Sequence, residues 1–290
     1  MYQILSEKNN NLTVEIPDFN PAHTFLCGQC FRWNQEDGLW IGIARGRLVK
    51  LSCNDGVCTF YNMDKREFED IWVKYFDLET DYGSIKNILS EKDEYLRNAV
   101  LHGSGIRLLR QDFYEILFSF IISQNNNIPR IKQIIESLSK SFGKPLDRSS
   151  SLFGFPDVSS LAYASLDKLS ICKGGYRCRY ISESAKKLVE FPDFEDRIRS
   201  LCKVKARELL LTLPGIGPKV ADCVLLYSGM DRTSFPIDRW VKRVIETLYF
   251  ERETDEKTIR DFAKEYFGEF SGIAQQYLFY YARERKIGFG

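Results

Sequence analysis

The stretch Leu211–Trp240, LTLPGIGPKVADCVLLYSGMDRTSFPIDRW, contains the turn around which the rest of the chain is organised. It begins where one helix ends, crosses a Pro-Gly-x-Gly-Pro turn and continues as an apolar helix. Gly215 and Gly217 can adopt positive φ and let bare backbone approach a partner closely. Pro218 suits the first position of a helix, so we expect the second helix to begin there. The pattern predicts two helices joined by a tight turn over about residues 203–230.

The first turn of this second helix contains the residues that suit anion binding and catalysis. Its free N–H groups and the positive end of its dipole form an anion site that suits a DNA phosphate. Lys219 lies in that first turn, where a cation is electrostatically misplaced, and Cys223 follows one turn later on the same face. Asp238 lies at the start of another helix. Alone, Lys219 would be a surface lysine and Asp238 a helix N-cap, but together they predict a lyase with a lysine nucleophile.

Composition limits the class of protein. The chain has 290 residues, 44% hydrophobic and 28% charged, as expected of a folded domain or two. A net charge of +1 means that any basic surface must be local. No apolar run reaches the length of a membrane span, so we expect no membrane partner. Eight cysteines without a secretion signal predict reduced thiols and a cytoplasmic location, at the nucleoid if the cell is prokaryotic.

The cysteine spacing argues against a metal site. A zinc ribbon needs short CxxC knuckles on both sides, and the step from Cys53 to Cys58 is too wide to pair with Cys27–Cys30. An iron–sulfur cluster would need four clustered cysteines, yet none follows Cys223. We therefore expect neither a metal nor an organic cofactor.

In the first third of the chain, the spacing of apolar residues changes once, from alternating to helical. Residues 29–62 alternate apolar and polar side chains in the segments QCFRW, LWIGIA, RLVKLSC and VCTFYNM, separated by EDG, RG and NDG. This pattern predicts an antiparallel sheet with one solvent-facing side. From Asp64 onward the period is helical. We therefore expect an α+β protein, mostly α, with an N-terminal antiparallel β-sheet domain over residues 1–105 and a helical region over residues 106–290.

Three segments of the helical region carry side chains suited to DNA. A core helix ends in an Asn-rich loop that includes Asn125, and amides in such a loop can bond unpaired base edges, although a plain loop is the simpler interpretation. Tyr176 and Arg177 open a helix after two glycines, as a wedge and its neighbouring cation would, or as a packed Tyr beside a solvated Arg. Gln275 and Phe279 lie one turn apart and can face one pocket, although by themselves they favour a core Phe279 and a surface Gln275.

Taken together, these motifs resemble the helix-hairpin-helix DNA glycosylases, and within them the 8-oxoguanine DNA glycosylase/AP lyases. The matching segments are LPGIGPKVADC, FPID, GQCFRW, NNNIPRI, GYRCRY and AQ-x-x-LF, which extend from Gln29 to Phe279. The resemblance implies that Lys219 is the Schiff-base nucleophile and Asp238 its catalytic carboxylate. It also implies excision of 8-oxoguanine from duplex DNA, followed by β-elimination.

The resemblance also implies a role for each remaining residue. Base recognition is expected from Gly28, Cys223, Gln275 and Phe279. Gln275 would bond the Watson–Crick edge of the lesion, and Phe279 would stack on its ring. 8-Oxoguanine carries a hydrogen on N7 where guanine has a lone pair, so a carbonyl at Gly28 would attract one and repel the other.

Contact with the rest of the DNA is expected from a second set of residues. Asn125 would enter the space that the flipped base leaves, and Tyr176 would act as the wedge. Arg130 and Arg177 would read the opposite cytosine. The hairpin glycines Gly215 and Gly217 would meet the phosphate backbone.

One position departs from the family. The family usually has a histidine two residues after the catalytic aspartate, where this chain has Trp240, so no contact by that histidine is expected. The predicted partner is double-stranded DNA that contains 8-oxoguanine, and the protein is expected to be a monomer. Two alternatives stay open: a related glycosylase for alkylated or other oxidised bases, and a non-catalytic DNA-binding module.

Overall fold

The N-terminal part of the protein is an antiparallel sheet. The computed structural model describes residues 1–146 and 152–288. Its strands are β1 Gln3–Lys8, β2 Asn11–Glu15, β3 Trp33–Glu36, β4 Leu39–Ala44, β5 Arg47–Asn54 and β6 Val57–Tyr61, with helix α1 Pro21–Phe25 between β2 and β3. The strand order is β1-β2-β6-β5-β4-β3, and every pair is antiparallel. The predicted meander over residues 29–62 is confirmed as β3 to β6, except that its first strand begins at Trp33, so most of the segment QCFRW precedes the sheet.

The sequence analysis missed β1 and β2. These strands extend the sheet beyond β6, where Thr13 of β2 lies opposite Thr59. The pairing of β2 with β6 joins residues far apart in the chain, so no local turn signal announces it, whereas β1 joins β2 through the local turn at Asn9 and Asn10.

One face of the sheet is buried, as the alternation predicts. Its inward side chains are Leu12, Val14, Val49, Leu51, Cys58 and Phe60. They share a core with a helical segment that consists of α2 Lys65–Glu67, a π-helical turn Phe68–Trp72 and α3 Val73–Tyr75. This packing gives the sheet a hydrophobic partner of its own.

Two cysteines of the sheet form a disulfide. Cys53 on β5 lies directly opposite Cys58 on β6, with their Cα atoms 4.0 Å apart. The expectation of reduced thiols is therefore wrong for this pair, because the Asn-Asp-Gly turn brings the two side chains together. The remaining cysteines are free.

The rest of the protein is helical. Its α-helices are α4 Tyr82–Lys92, α5 Glu94–His102, α6 Phe113–Ser123, α7 Ile128–Phe142, α8 Val158–Ala162, α9 Leu166–Ser170, α10 Arg177–Glu190, α11 Phe194–Ser200, α12 Lys203–Leu211, α13 Pro218–Tyr227, α14 Arg239–Ile245, α15 Glu256–Tyr266 and α16 Ser271–Arg285. A π-helical turn Glu246–Phe250 follows α14, and a 3-10 turn Gly268–Phe270 precedes α16. The protein is thus α+β and mostly α, as predicted.

Helix α6 lies at the centre of this region. It is buried along most of its length, and it packs against α13. Helices α4 and α5 also contribute to the helical core, through residues such as Leu89 and Leu96. The predicted domain boundary after residue 105 stays a prediction. Among residues 1–146 and 152–288, no helix is long and apolar enough to cross a membrane.

Candidate active site

The hairpin between α12 and α13 has the expected form, with one difference. Gly215 adopts φ +78°, and a Cβ there would lie 2.6 Å from the side chain of Tyr180, so only glycine fits. Gly217 is the extended N-cap of α13, with φ −96° and ψ 178°. The expectation of positive φ is therefore wrong for Gly217. Nothing lies within 4 Å of its missing Cβ, which leaves its backbone open to a phosphate.

Lys219 occupies the first turn of α13 and is half-buried. Its Nζ donates a hydrogen bond to Ser123 Oγ at 3.3 Å and lies 4.8 Å from the centroid of the Phe120 ring. Both of these residues belong to the last turns of α6. The packing of α6 against α13 therefore fixes the amine between a hydroxyl and an aromatic face.

Cys223 and Asp238 surround the same amine. Cys223 is buried, and burial raises the pKa of its thiol to about 12, while its hydrogen bond with Lys219 acts in the opposite direction. The thiol therefore stays neutral. The charge of the nearby Asp238 carboxylate also raises the pKa of this thiol, and the charge of Lys219 acts to lower the pKa of Asp238. Cys223 and Lys219 lie together, as their spacing predicts.

Asp238 is the N-cap of α14. Its Oδ1 accepts hydrogen bonds from the backbone N–H groups of Trp240 at 2.9 Å and Val241 at 2.8 Å. Burial raises the pKa of Asp238, and these bonds and the Lys219 charge oppose the rise. Within the described residues, no donor bonds to Oδ2. Capping thus uses one carboxylate oxygen and leaves the other for a reacting group.

Trp240 stands where the family has histidine. It is half-buried, and its backbone N–H is one of the two that hold Asp238. The side chain at this position is therefore not needed to cap the aspartate, since any residue supplies that N–H.

Two of the predicted base-recognition residues, Gly28 and Phe279, come together at α16, and Gln275 lies one turn before Phe279 on that helix. Gln275 is 3% exposed, yet its Oε1 has no hydrogen-bond partner among the described residues. The ring of Phe279 lies beside Gly28, where a Cβ would be 3.1 Å from Phe279 Cε1. Gly28 has φ +87°, so the loop before β3 is a turn that favours glycine. A buried, unbonded amide beside an aromatic ring fits the edge and face of a base.

The loop between α6 and α7 presents Asn125. This residue has φ +46° and is exposed, and its side chain makes no hydrogen bond within the described part of the chain. The next Asn residues are used locally: Asn127 caps α7 by accepting from the Arg130 N–H at 3.0 Å. Asn125 is therefore the one residue of the triplet whose side chain makes no hydrogen bond in the described part of the chain.

The two arginines differ in their surroundings. Arg130 is exposed at the start of α7, and no acceptor for its guanidinium is found in residues 1–146 and 152–288. Arg177 is 5% exposed and donates to the carbonyls of Gln124, Asn125 and Gly174. Its guanidinium also lies 4.5 Å from the ring centroid of Tyr176, which is 52% exposed. Arg177 therefore braces the Asn loop, and Tyr176 projects beside it.

Sequence reasoning missed the residues that hold these groups in place. Ser123 and Phe120 were assigned only to a core helix, although Ser123 directly precedes the Gln-Asn-Asn-Asn loop. Arg283 lies 5.5 Å from the Phe279 ring centroid. Its position one turn after Phe279 was the only available signal. Among the described residues, no group of three His, Cys, Asp or Glu side chains could hold a metal ion.

Comparisons with known proteins identify the family of this chain. The family model for the 8-oxoguanine DNA glycosylase N-terminal domain matches residues 11–117, and that for HhH-GPD superfamily base excision DNA repair proteins matches residues 118–268. A probable N-glycosylase/DNA lyase of Methanothermobacter thermautotrophicus is 32% identical over 229 residues, which cover 72% of each chain. An N-glycosylase/DNA lyase of Arabidopsis thaliana is 29% identical over 276 residues, which cover 88% of this chain and 75% of that one.

A solved structure is similar over almost the whole length. It is the Clostridium acetobutylicum 8-oxoguanine glycosylase/lyase in complex with double-stranded DNA containing cytosine opposite 8-oxoguanine. The identity is 41%, the TM-score is 0.94, and the match covers 99% of both chains.

Proposed function

Because this chain belongs to the HhH-GPD superfamily of base excision DNA repair proteins, we propose that Lys219 and Asp238 are the catalytic residues of its glycosylase and lyase reactions. The protein is a bifunctional DNA N-glycosylase and DNA lyase that removes 8-oxoguanine from double-stranded DNA. The role of each residue in this reaction is a proposal.

The observation that carries the catalytic assignment is the setting of the Lys219 amine. Its neighbours are the Ser123 hydroxyl, the Phe120 ring and the Cys223 thiol, and the carboxylate of Asp238 is nearby. A surface lysine would instead extend into water. An amine held beside a carboxylate with one free oxygen suits attack on a sugar whose positive charge must be stabilised.

The reaction proceeds in two stages. The Lys219 amine attacks C1′, a C–N bond forms, and the bond from C1′ to the base breaks, so that the base leaves with the electron pair and takes up the proton that the amine nitrogen loses. Opening of the sugar ring then gives a Schiff base. Loss of a proton from C2′ expels the 3′ phosphate by β-elimination. Asp238 stabilises the positive charge that develops on the sugar during the first stage.

The lesion is held by the pocket at α16. Phe279 stacks on the flipped base, and the unbonded amide of Gln275 bonds its Watson–Crick edge. The Gly28 carbonyl accepts the N7 hydrogen that distinguishes 8-oxoguanine from guanine. Cys223 closes the pocket as a neutral thiol beside the nucleophile.

The exposed residues act on the duplex. Tyr176 wedges into the stack, and Asn125 fills the space that the flipped base leaves. Arg130 reads the opposite cytosine, because its guanidinium is exposed. Arg177 contributes one remaining Nη1 hydrogen to that cytosine while it holds the Asn loop. The backbones of Gly215 and Gly217 bind a phosphate. A cytoplasmic location stays a prediction.

The test is borohydride trapping on a duplex with 8-oxoguanine opposite cytosine. Lys219→Gln should bind this DNA but should lose base excision and the trapped adduct. Lys242→Gln is the matched control, since Lys242 is half-buried and forms an ion pair with Glu246 at 3.6 Å. It should trap as the unmodified enzyme does. An adduct that persists in Lys219→Gln would place the nucleophile elsewhere.

A further inference from the structure

The turn that contains Gly28 is held by side chains of α16. Arg283 Nη2 donates to the Leu26 carbonyl at 2.6 Å, and Gln276 Nε2 donates to the Cys27 carbonyl at 2.8 Å. Two consecutive carbonyls of the turn are therefore fixed by one helix.

The residue after Gly28 is fixed as well. The Gln29 carbonyl accepts from Gln111 Nε2 at 2.8 Å. The buried Gln29 side chain donates to the carbonyls of Thr24 and Arg107 and accepts from the Leu109 N–H. Within the described residues, the Gly28 carbonyl alone has no donor in this run of four. The carbonyls on both sides of Gly28 thus have hydrogen-bond donors, and the Gly28 carbonyl is left without one.

Gln276 also connects the turn to the nucleophile's helix. Its amide is fully buried, and its Oε1 accepts from the Tyr227 hydroxyl at 2.7 Å. Tyr227 is the last residue of α13, and its ring stacks on Phe120 with 5.3 Å between centroids. Phe120 is the ring that lies under the Lys219 amine. One amide therefore fixes the turn relative to the catalytic lysine.

Arg283 connects the turn to the stacking ring. Besides its bond to Leu26, its guanidinium lies 5.5 Å from the Phe279 centroid and forms an ion pair with Glu284 at 3.0 Å. Its Nη1 would be 3.5 Å from a Cβ on Gly28. The same side chain thus spans both groups that would contact the lesion.

We propose that Gln276 and Arg283 are positioning residues for recognition of 8-oxoguanine, which act by orienting the Gly28 carbonyl. A glycine has the widest range of φ and ψ, so it cannot hold its own carbonyl toward a ligand. Gln276 fixes the peptide plane before Gly28, and Gln29 fixes the residue after it. Arg283 keeps the turn at the correct distance from Phe279. This inference rests on the proposed role of Gly28.

The experiment compares two reactions of the full-length enzyme. One is single-turnover excision of 8-oxoguanine opposite cytosine, and the other is strand cleavage at a preformed abasic site in the same duplex. Only the first requires a base to be read. Gln276→Met and Arg283→Met should slow excision by about tenfold or more while cleavage of the abasic duplex stays within about twofold.

A matched variant serves as the control. Arg285→Met removes an equal charge from the exposed end of α16. It should retain the unmodified ratio of the two rates, since it frees no carbonyl of the turn.

The results of these assays distinguish the positioning role of Gln276 and Arg283 from the catalytic assignment of Lys219. If excision and abasic-site cleavage fall together in both test variants, or if neither falls, the positioning role is refuted. Because Arg283 is near the surface, its variant tests the idea even if Gln276→Met fails to fold. An unmodified enzyme whose Lys219 forms no adduct would instead refute the proposed catalytic assignment and leave the turn's geometry untouched.

Discussion

Gly28→Ala is the substitution whose effects the structure predicts in most detail. The new Cβ would be 3.1 Å from Phe279 Cε1 and 3.5 Å from Arg283 Nη1, at a residue with φ +87°. The first distance requires the Phe279 ring to move by a few tenths of an ångström. The backbone conformation is also unfavourable for alanine. The substitution therefore affects both the turn and the ring that stacks on the lesion.

The two effects have separate magnitudes. A left-handed backbone costs an L-residue roughly 1–2 kcal/mol, which should lower the free energy of unfolding. Misplacement of the Gly28 carbonyl removes one hydrogen bond to the lesion, worth about 1–3 kcal/mol when an acceptor is left unpaired. Excision of 8-oxoguanine should therefore slow by roughly five- to a hundredfold.

Single-turnover excision and binding to an abasic-site analogue measure these effects. Gly28→Ala should excise slowly and bind the analogue normally, because the analogue has no base. Gly38→Ala is the matched control: Gly38 has φ +80°, and nothing lies within 4 Å of its Cβ position. It should lose stability alone. Excision at the unmodified rate by Gly28→Ala, or an equal loss of analogue binding, would refute the role of Gly28.

Three further predictions use the same assays. Asp238→Asn should keep the cap of α14, since asparagine also accepts the two N–H bonds, while excision falls by about a hundredfold or more in single-turnover assays; a matching loss of DNA binding would favour a purely structural cap. Arg130→Ala should lose the preference for cytosine over other opposing bases by about tenfold, measured as excision from four duplexes, and equal rates in the unmodified enzyme would contradict a reader. Burial raises the pKa of Glu115 to about 7, against the opposing charge of Arg32. Its folded-state pKa lies above the unfolded value, so protonation stabilises the fold at low pH, and this stability is lost as the pH rises through about 7. Chemical unfolding of Glu115→Gln should therefore depend less on pH between about 4.5 and 7, and an unchanged slope would contradict the shift.

The sequence by itself determined the elements whose signals are local. The hairpin at Gly215, the meander after residue 29 and the core helix α6 follow from turn chemistry and from side-chain periodicity. The family motifs indicated which residues take part in catalysis and in DNA recognition. Their spacing placed Lys219 and Cys223 on one face, because that relation lies within one helix.

Tertiary structure decided how those residues are used. The place of β2 in the sheet was missed because its pairing with β6 is nonlocal, and β1 joins the sheet only through β2. The burial of Arg177 depends on the carbonyls of a loop that lies about fifty residues away in the sequence. No periodicity reports such a contact.

Gln275 and Gln276 show the limit most clearly. They are adjacent and chemically identical, and both are buried. Gln276 has both ends of its amide bonded, whereas Gln275 Oε1 has no partner among the described residues. Successive residues of a helix point about 100° apart, so one amide meets the Gly28 turn while the other keeps an oxygen without a partner. Sequence supplies the two amides, and only the packing of α16 against α13 and the turn determines which one is left for the base.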